Sequence, residues 1–268
     1  MPLLVENGWQ VAAFSRRPIS TNSQKGIRWL EPSGDIGSDE IPYWICLAPI
    51  WILPEYLVWM AQHGARHVVA LSSTSRFTKV ESSDQSERAL AQRFAESEEK
   101  LIAWAVEHKV AWTIFRPTLI YGLGLDKNVS QIASLIRRFG FFPPLGEAKG
   151  LRQPIHLEDL ATVCERAIHQ DAARNRAFEV SGAEVLSYRE MVNRIFLATG
   201  KPPRFITIPL WAFRVLVATM KILPAYRKWS PAMVERMDSN MVFDHTEASR
   251  LLDFEPRKFF PTHIDTKS

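Results

Sequence analysis

The chain has 268 residues, 46% hydrophobic and 23% charged, enough for one large α/β domain or for one domain with a smaller appendage. Its net charge of +4 is spread along the sequence, whereas a nucleic-acid-binding stripe would be clustered, so we expect no nucleic-acid partner. Two cysteines, Cys46 and Cys164, lack metal-ligand spacing, and no apolar stretch reaches the ~20 residues of a membrane span. With Glu6 and Asn7 interrupting the first apolar run, unlike a signal peptide, the expectation is a cytoplasmic protein with two buried free thiols and no metal.

In chain order, Pro2 to Glu6 reads as the end of a helix closed by Asn7-Gly8. Gln10 to Phe14 reads as a buried strand ending in Ser15-Arg16-Arg17, and Ile27 to Leu30 as another. Tyr43 to Ala48 is a strand followed by Pro49, Pro54 to His63 a helix stopped by Gly64, and His67 to Leu71 a strand ending in Ser72-Ser73-Thr74. Ser86 to His108 is the clearest helix, with Leu90, Phe94, Leu101 and Ala105 near one stripe. Ala111 to Phe115 is a strand ending at Arg116-Pro117. This alternation predicts a doubly wound parallel sheet with helices on both faces. Beyond Gly122 it loosens, with helices over Asn128 to Phe139 and Leu157 to His169. Ser187-Tyr-Arg-Glu190 is a capping box opening a helix to Thr199. We divide the chain into a nucleotide-binding region, 1–170, and a smaller interleaved α/β substrate region, 171–268.

Ligands of open parallel sheets bind beyond the carboxyl ends of the strands. That groups Ser15-Arg16-Arg17, Ala48-Pro49, Ser72-Ser73-Thr74 and Arg116-Pro117. Together with Arg116-Pro-Thr-Leu-Ile-Tyr-Gly122 and Arg152-Gln-Pro-Ile-His-Leu-Glu-Asp159, this order resembles the extended short-chain dehydrogenases/reductases of the epimerase/dehydratase type. The resemblance implies a Rossmann-like fold, NADP or NAD as cofactor and a small-molecule substrate such as a sugar nucleotide. It assigns Arg16, Arg17, Ala48, Pro49, Ser72, Ser73 and Pro117 to the cofactor. An acidic residue at Arg16 or Arg17 would bind the ribose of NAD, whereas arginines suit the 2′-phosphate of NADP; the alternative is two solvated surface arginines. Thr74 matches the catalytic hydroxyl, and otherwise simply satisfies loop backbone. Arg152 matches the arginine that grips a substrate diphosphate, or makes a structural salt bridge. His156 and Asp159 are expected to fix the start of the next helix.

Two family features are missing. The Tyr-x-x-x-Lys acid/base device has no counterpart: none of the five tyrosines lies on the long helix. One register puts Ala91 and Ala95 at the two positions; another puts Glu96 and Lys100 there. No glycine-rich turn follows the first readable strand. Because Gln10 to Phe14 ends as a second Rossmann strand would, the polypeptide is expected to begin upstream of Met1, on the order of 15–25 residues earlier. Two functions stay open: an NAD(P)-dependent epimerase, dehydratase or reductase, and a non-catalytic dinucleotide-binding or assembly protein. The basic apolar stretch Pro209 to Arg227 suits either a core helix of the smaller region or contact with a membrane surface or protein partner.

Overall fold

The computed structural model describes residues 1–15, 25–32, 40–126, 128–144, 147–206, 237–263 and 265–266. Arg16, Arg17 and the stretch 209–227 lie outside the described residues. Helix α1 (Pro2–Glu6) leads into β1 (Val11–Phe14), which pairs in parallel with β2 (Ile27–Leu30). Strand β3 (Tyr43–Cys46) is followed by a 3-10 turn over Ile50–Glu55 and by α2 (Leu57–Gln62). The expected Pro54–His63 helix is thus two pieces. Pro54 has no N–H to continue a ladder, so a tight turn precedes the helix proper. The expected Tyr43–Ala48 strand stops two residues early, at Cys46.

Then come β4 (His67–Leu71), α3 (Ser75–Thr78), α4 (Gln85–His108) and β5 (Ala111–Pro117). Asp84 starts α4 by accepting the N–H of Ser86 at 2.8 Å. Beyond these lie β6 (Ile120–Tyr121), α5 (Val129–Phe139), β7 (Leu151–Arg152), β8 (Ile155–His156) and α6 (Leu157–His169). The chain ends through β9 (Arg176–Val180), β10 (Leu186–Ser187), α7 (Tyr188–Ala198) and α8 (Thr246–Leu252). Ser187 accepts the N–H of Glu190 at 3.1 Å, half of the expected capping box. The Glu190 carboxylate turns instead to Arg194, 3.2 Å away.

The central sheet runs β3-β4-β5-β9, all parallel. Its strands are apolar on both faces because helices cover both. Val68, Ala70 and Ile114 join Leu101, Trp104 and Ala105 of α4 in one core. Their alternate neighbours Val69 and Phe115 join Phe178, Val180, Leu160, Val163 and Ala167 in the core under α6. Ile114 and Phe115, both fully buried, each contribute roughly 1.5–3 kcal/mol through burial. A third core joins α5 and α7 around Tyr121, Ile195, Phe196 and Phe259. Among the described residues no backbone hydrogen bond joins β1 to β3. The ladders meet through rings, Phe14 stacked on Trp44 at 5.7 Å and Trp9 edge-on to Tyr43 at 5.4 Å.

Candidate functional site at the carboxyl edge of the sheet

The register of β4 against β5 sets the geometry of this edge. Ser72 N–H donates to Phe115 O at 2.8 Å, continuing the ladder one residue past β4. Thr74 then donates twice to Pro117 O, from its N–H at 3.2 Å and from its hydroxyl at 3.1 Å. Ser73 Oγ accepts the N–H of Ser75 at 3.1 Å, opening α3. Ser72, Ser73, Thr74 and Pro117 therefore form one hydrogen-bonded unit. Ala48 and Pro49 follow the neighbouring strand β3 and are exposed.

Beneath this unit lies a carboxylate that the sequence reading did not single out. Glu98 of α4 is fully buried and accepts the Ser72 hydroxyl at 2.5 Å. Arg116 donates to it from Nη2 at 2.7 Å and from Nε to both oxygens at 3.2 Å, and Arg76 forms a second ion pair. Arg116 Nη1 also reaches Glu179 at 3.0 Å. Burial opposes the charge of Arg116, but its bonds to Glu98 and then Glu179 outweigh that and raise its pKa. Both guanidinium groups lie over Phe77, Arg116 at 5.2 Å and Arg76 at 5.7 Å. The signal was present in the sequence: Glu98 is four residues after Phe94 and three before Leu101, on the apolar stripe itself. An acid on such a stripe needs a buried partner.

The buried side of α4 also carries Glu87, Ala91, Phe94 and Ser97. Ala91 is buried and Ala95 partly so. Glu96 and Lys100 are exposed, and Glu96 takes the side-chain amide of Gln92 at 2.7 Å. That places the Glu96–Lys100 register on the solvent side of α4. The described glycines near β1 and β2, Gly8 and Gly26, stand before strands and not after them.

Arg152 lies on a separate two-stranded ladder. It is buried on β7, paired with β10, with Nη1 donating to Leu151 O at 2.8 Å and Ser239 O at 2.7 Å. Its guanidinium lies 5.3 Å from the Tyr188 ring centroid. His156 caps α6 as expected, Nδ1 accepting the N–H of Glu158 at 3.3 Å. Its Nε2 lies 3.4 Å from Asp265. Gly122, at φ +133, is required beside it, since a Cβ there would stand 2.7 Å from His156 Nε2. Burial opposes ionisation of Asp265, but bonds from Thr262 and Leu123 hold its carboxyl below the usual range. Asp159 holds Arg257, at 2.9 Å to its N–H and 2.8 Å to its Nε. A hollow lined by Asp159, Thr162, Val163, Arg166, Phe254 and Glu255 includes no residue of the sheet-edge loops. Among the described residues no three His, Cys, Asp or Glu side chains are grouped to hold a metal, and no helix is long and apolar enough to cross a membrane.

No family model matches the chain. It is 28% identical over 122 residues to a UDP-glucose 4-epimerase of Vibrio cholerae, covering 45% of this chain and 37% of that protein. It is 32% identical over 105 residues to an NAD(P)H azoreductase of Xenophilus azovorans, covering 39% and 34%. The matches thus span little more than a third of these relatives. Among solved structures, MoeE5 in complex with UDP-glucuronic acid and NAD superposes with a TM-score of 0.70 at 18% identity, over 99% of this chain and 92% of that one. The parallel sheet covered on both faces, the strand-end loops and these likenesses agree: the chain has a Rossmann-like fold similar to that of short-chain dehydrogenases/reductases of the epimerase type.

Proposed function

We propose that this protein is a cytoplasmic, NAD(P)-binding member of the epimerase/dehydratase type that acts on a nucleotide-linked sugar or similar substrate at the carboxyl edge of its sheet. The observation that carries the reading is the Ser72–Ser73–Thr74 unit at the end of β4, fastened to Pro117 at the end of β5. The donor set there is compatible with a dinucleotide. Ala48 and Pro49 offer a small, exposed, apolar edge, and Ser73, bonded only as an acceptor from Ser75, keeps its hydroxyl proton for a ligand. Arg16 and Arg17 would hold a 2′-phosphate. A bound nicotinamide supplies a hydride donor or acceptor. Thr74 would donate to a substrate oxygen by exchanging its bond to Pro117 O. Arg152 would engage a diphosphate by exchanging its bonds to Leu151 O and Ser239 O. Residues 171–268 would supply the substrate side.

One observation favours a second reading, binding without turnover. The side of α4 that would carry a phenol and an ammonium carries alanines, and the Thr74 hydroxyl is already spent on backbone. Calorimetry with NADPH and NADH, followed by incubation with UDP-glucose and UDP-glucuronic acid and analysis of the sugars, separates the two. Binding with sugar conversion supports the enzyme, and binding without conversion supports the second reading. Absence of dinucleotide binding overturns both.

A further inference from the structure

We infer that the end of the molecule where α5 and α7 terminate together is a docking surface for an anionic lipid bilayer. The two helix ends are fastened by described contacts. Lys201 Nζ donates to Arg137 O at 2.7 Å, Phe142 N–H to Arg204 O at 2.9 Å, and Ile206 N–H to Phe142 O at 3.1 Å. Large apolar side chains stand in solvent around this junction: Phe139 is 56% exposed, Leu197 64% and Ile206 53%. They stand among cations. Arg138 lies over the Phe139 ring at 5.2 Å, and both Arg138 and Arg204 are exposed.

Charge complementarity names the occupant. The described residues 128–144 and 191–206, which contain both helix ends, hold no Asp or Glu and five cations, Arg137, Arg138, Arg194, Lys201 and Arg204. The sequence that follows Ile206 continues the same composition: aliphatic and aromatic residues, with Arg214, Lys221 and Lys228 recurring at every seventh position. Apolar and aromatic groups interleaved with Lys and Arg, and no acid, match the headgroup region of an anionic bilayer. A protein partner would need carboxylates of its own to meet this face; a phosphatidylglycerol surface supplies the negative charge as a continuum.

The test is co-sedimentation of the full chain with vesicles of phosphatidylcholine containing about 30% phosphatidylglycerol, against pure phosphatidylcholine, at low and high salt. Two variants probe the described surface: R138E/R204E for charge and F139S/L197S/I206S for apolar insertion. All substituted side chains are exposed, and circular dichroism checks that the fold is kept. Binding to the anionic vesicles only, weakened by salt and by roughly ten-fold or more in each variant, is the expected result. Failure to bind the anionic vesicles, equal binding to neutral ones, or undiminished binding by both folded variants would overturn the proposal.

Discussion

Replacing Glu98 by glutamine keeps the side chain's volume and its capacity to accept the Ser72 hydroxyl, but removes the charge that Arg116 and Arg76 share. Removing one partner of a fully buried ion pair costs about 3–5 kcal/mol, because the other charge is left stranded. Here Glu98 is fully buried, whereas the side chains of Arg116 and Arg76 keep 15% and 24% of their exposure, and Arg116 retains Glu179. The penalty should therefore fall below that range, at about 2–3 kcal/mol. The exposed pair of Arg66 and Glu40, with side chains 74% and 75% exposed, provides the contrast: E40Q should cost under about 0.5 kcal/mol. Urea denaturation of the three proteins reads these differences as midpoint shifts at constant slope. R116M, which leaves a wholly buried carboxylate with Arg76 alone, should cost at least as much as E98Q. The double mutant should fall short of the sum by more than about 1 kcal/mol, since the two share one network. An E98Q midpoint indistinguishable from wild type, or strict additivity with R116M, would refute the network's role in holding the end of β4 against β5.

Other predictions follow from single groups. His67 is buried; its Nε2 lies 2.9 Å from Thr113 Oγ1, whose own proton goes to Ala173 O, so the imidazole is neutral with a bare Nδ1. Burial, aided by Arg174, lowers its pKa to about 4. The unfolded chain then binds the extra proton between about pH 6.5 and 4, and stability should fall through that window, by roughly 2 kcal/mol between pH 7.5 and 5. H67Q should flatten this part of the profile, and an unchanged pH dependence in H67Q would contradict the assignment. Burial pushes the Cys46 thiol up to about 11 and that of Cys164 to about 12. Both should resist a disulfide reagent at pH 8 in the native protein and react on unfolding; fast native labelling would contradict this. Replacing Arg16 and Arg17 by alanine should weaken NADPH binding about ten-fold or more and leave NADH nearly unchanged. Equal loss for both cofactors would remove the 2′-phosphate role.

Where burial on two faces left a continuous apolar run, as in His67–Leu71 and Ala111–Phe115, the strands were readable to within two residues. The long helix α4 was readable from its stripe and began one residue before its expected start. Strand β9 was not read, because only Phe178 and Val180 of its five residues are buried and Arg176 and Glu179 break the run. The two-residue strands β6, β7, β8 and β10 carry too little pattern to be seen, and exist because tertiary contacts bring their backbones together. At the site, the Ser-Ser-Thr strand end was legible as a motif. What each hydroxyl bonds was not, since Glu98 and Pro117 reach it from 26 and 43 residues away.

The most direct test of the central claim is calorimetric titration of the full chain with NADPH and with NADH. The expected result is saturable, one-site binding that favours NADPH and weakens when Ala48 is replaced by a bulky, charged residue such as glutamate at the exposed edge. Heats no greater than dilution for both dinucleotides, from a protein that unfolds cooperatively, would contradict it.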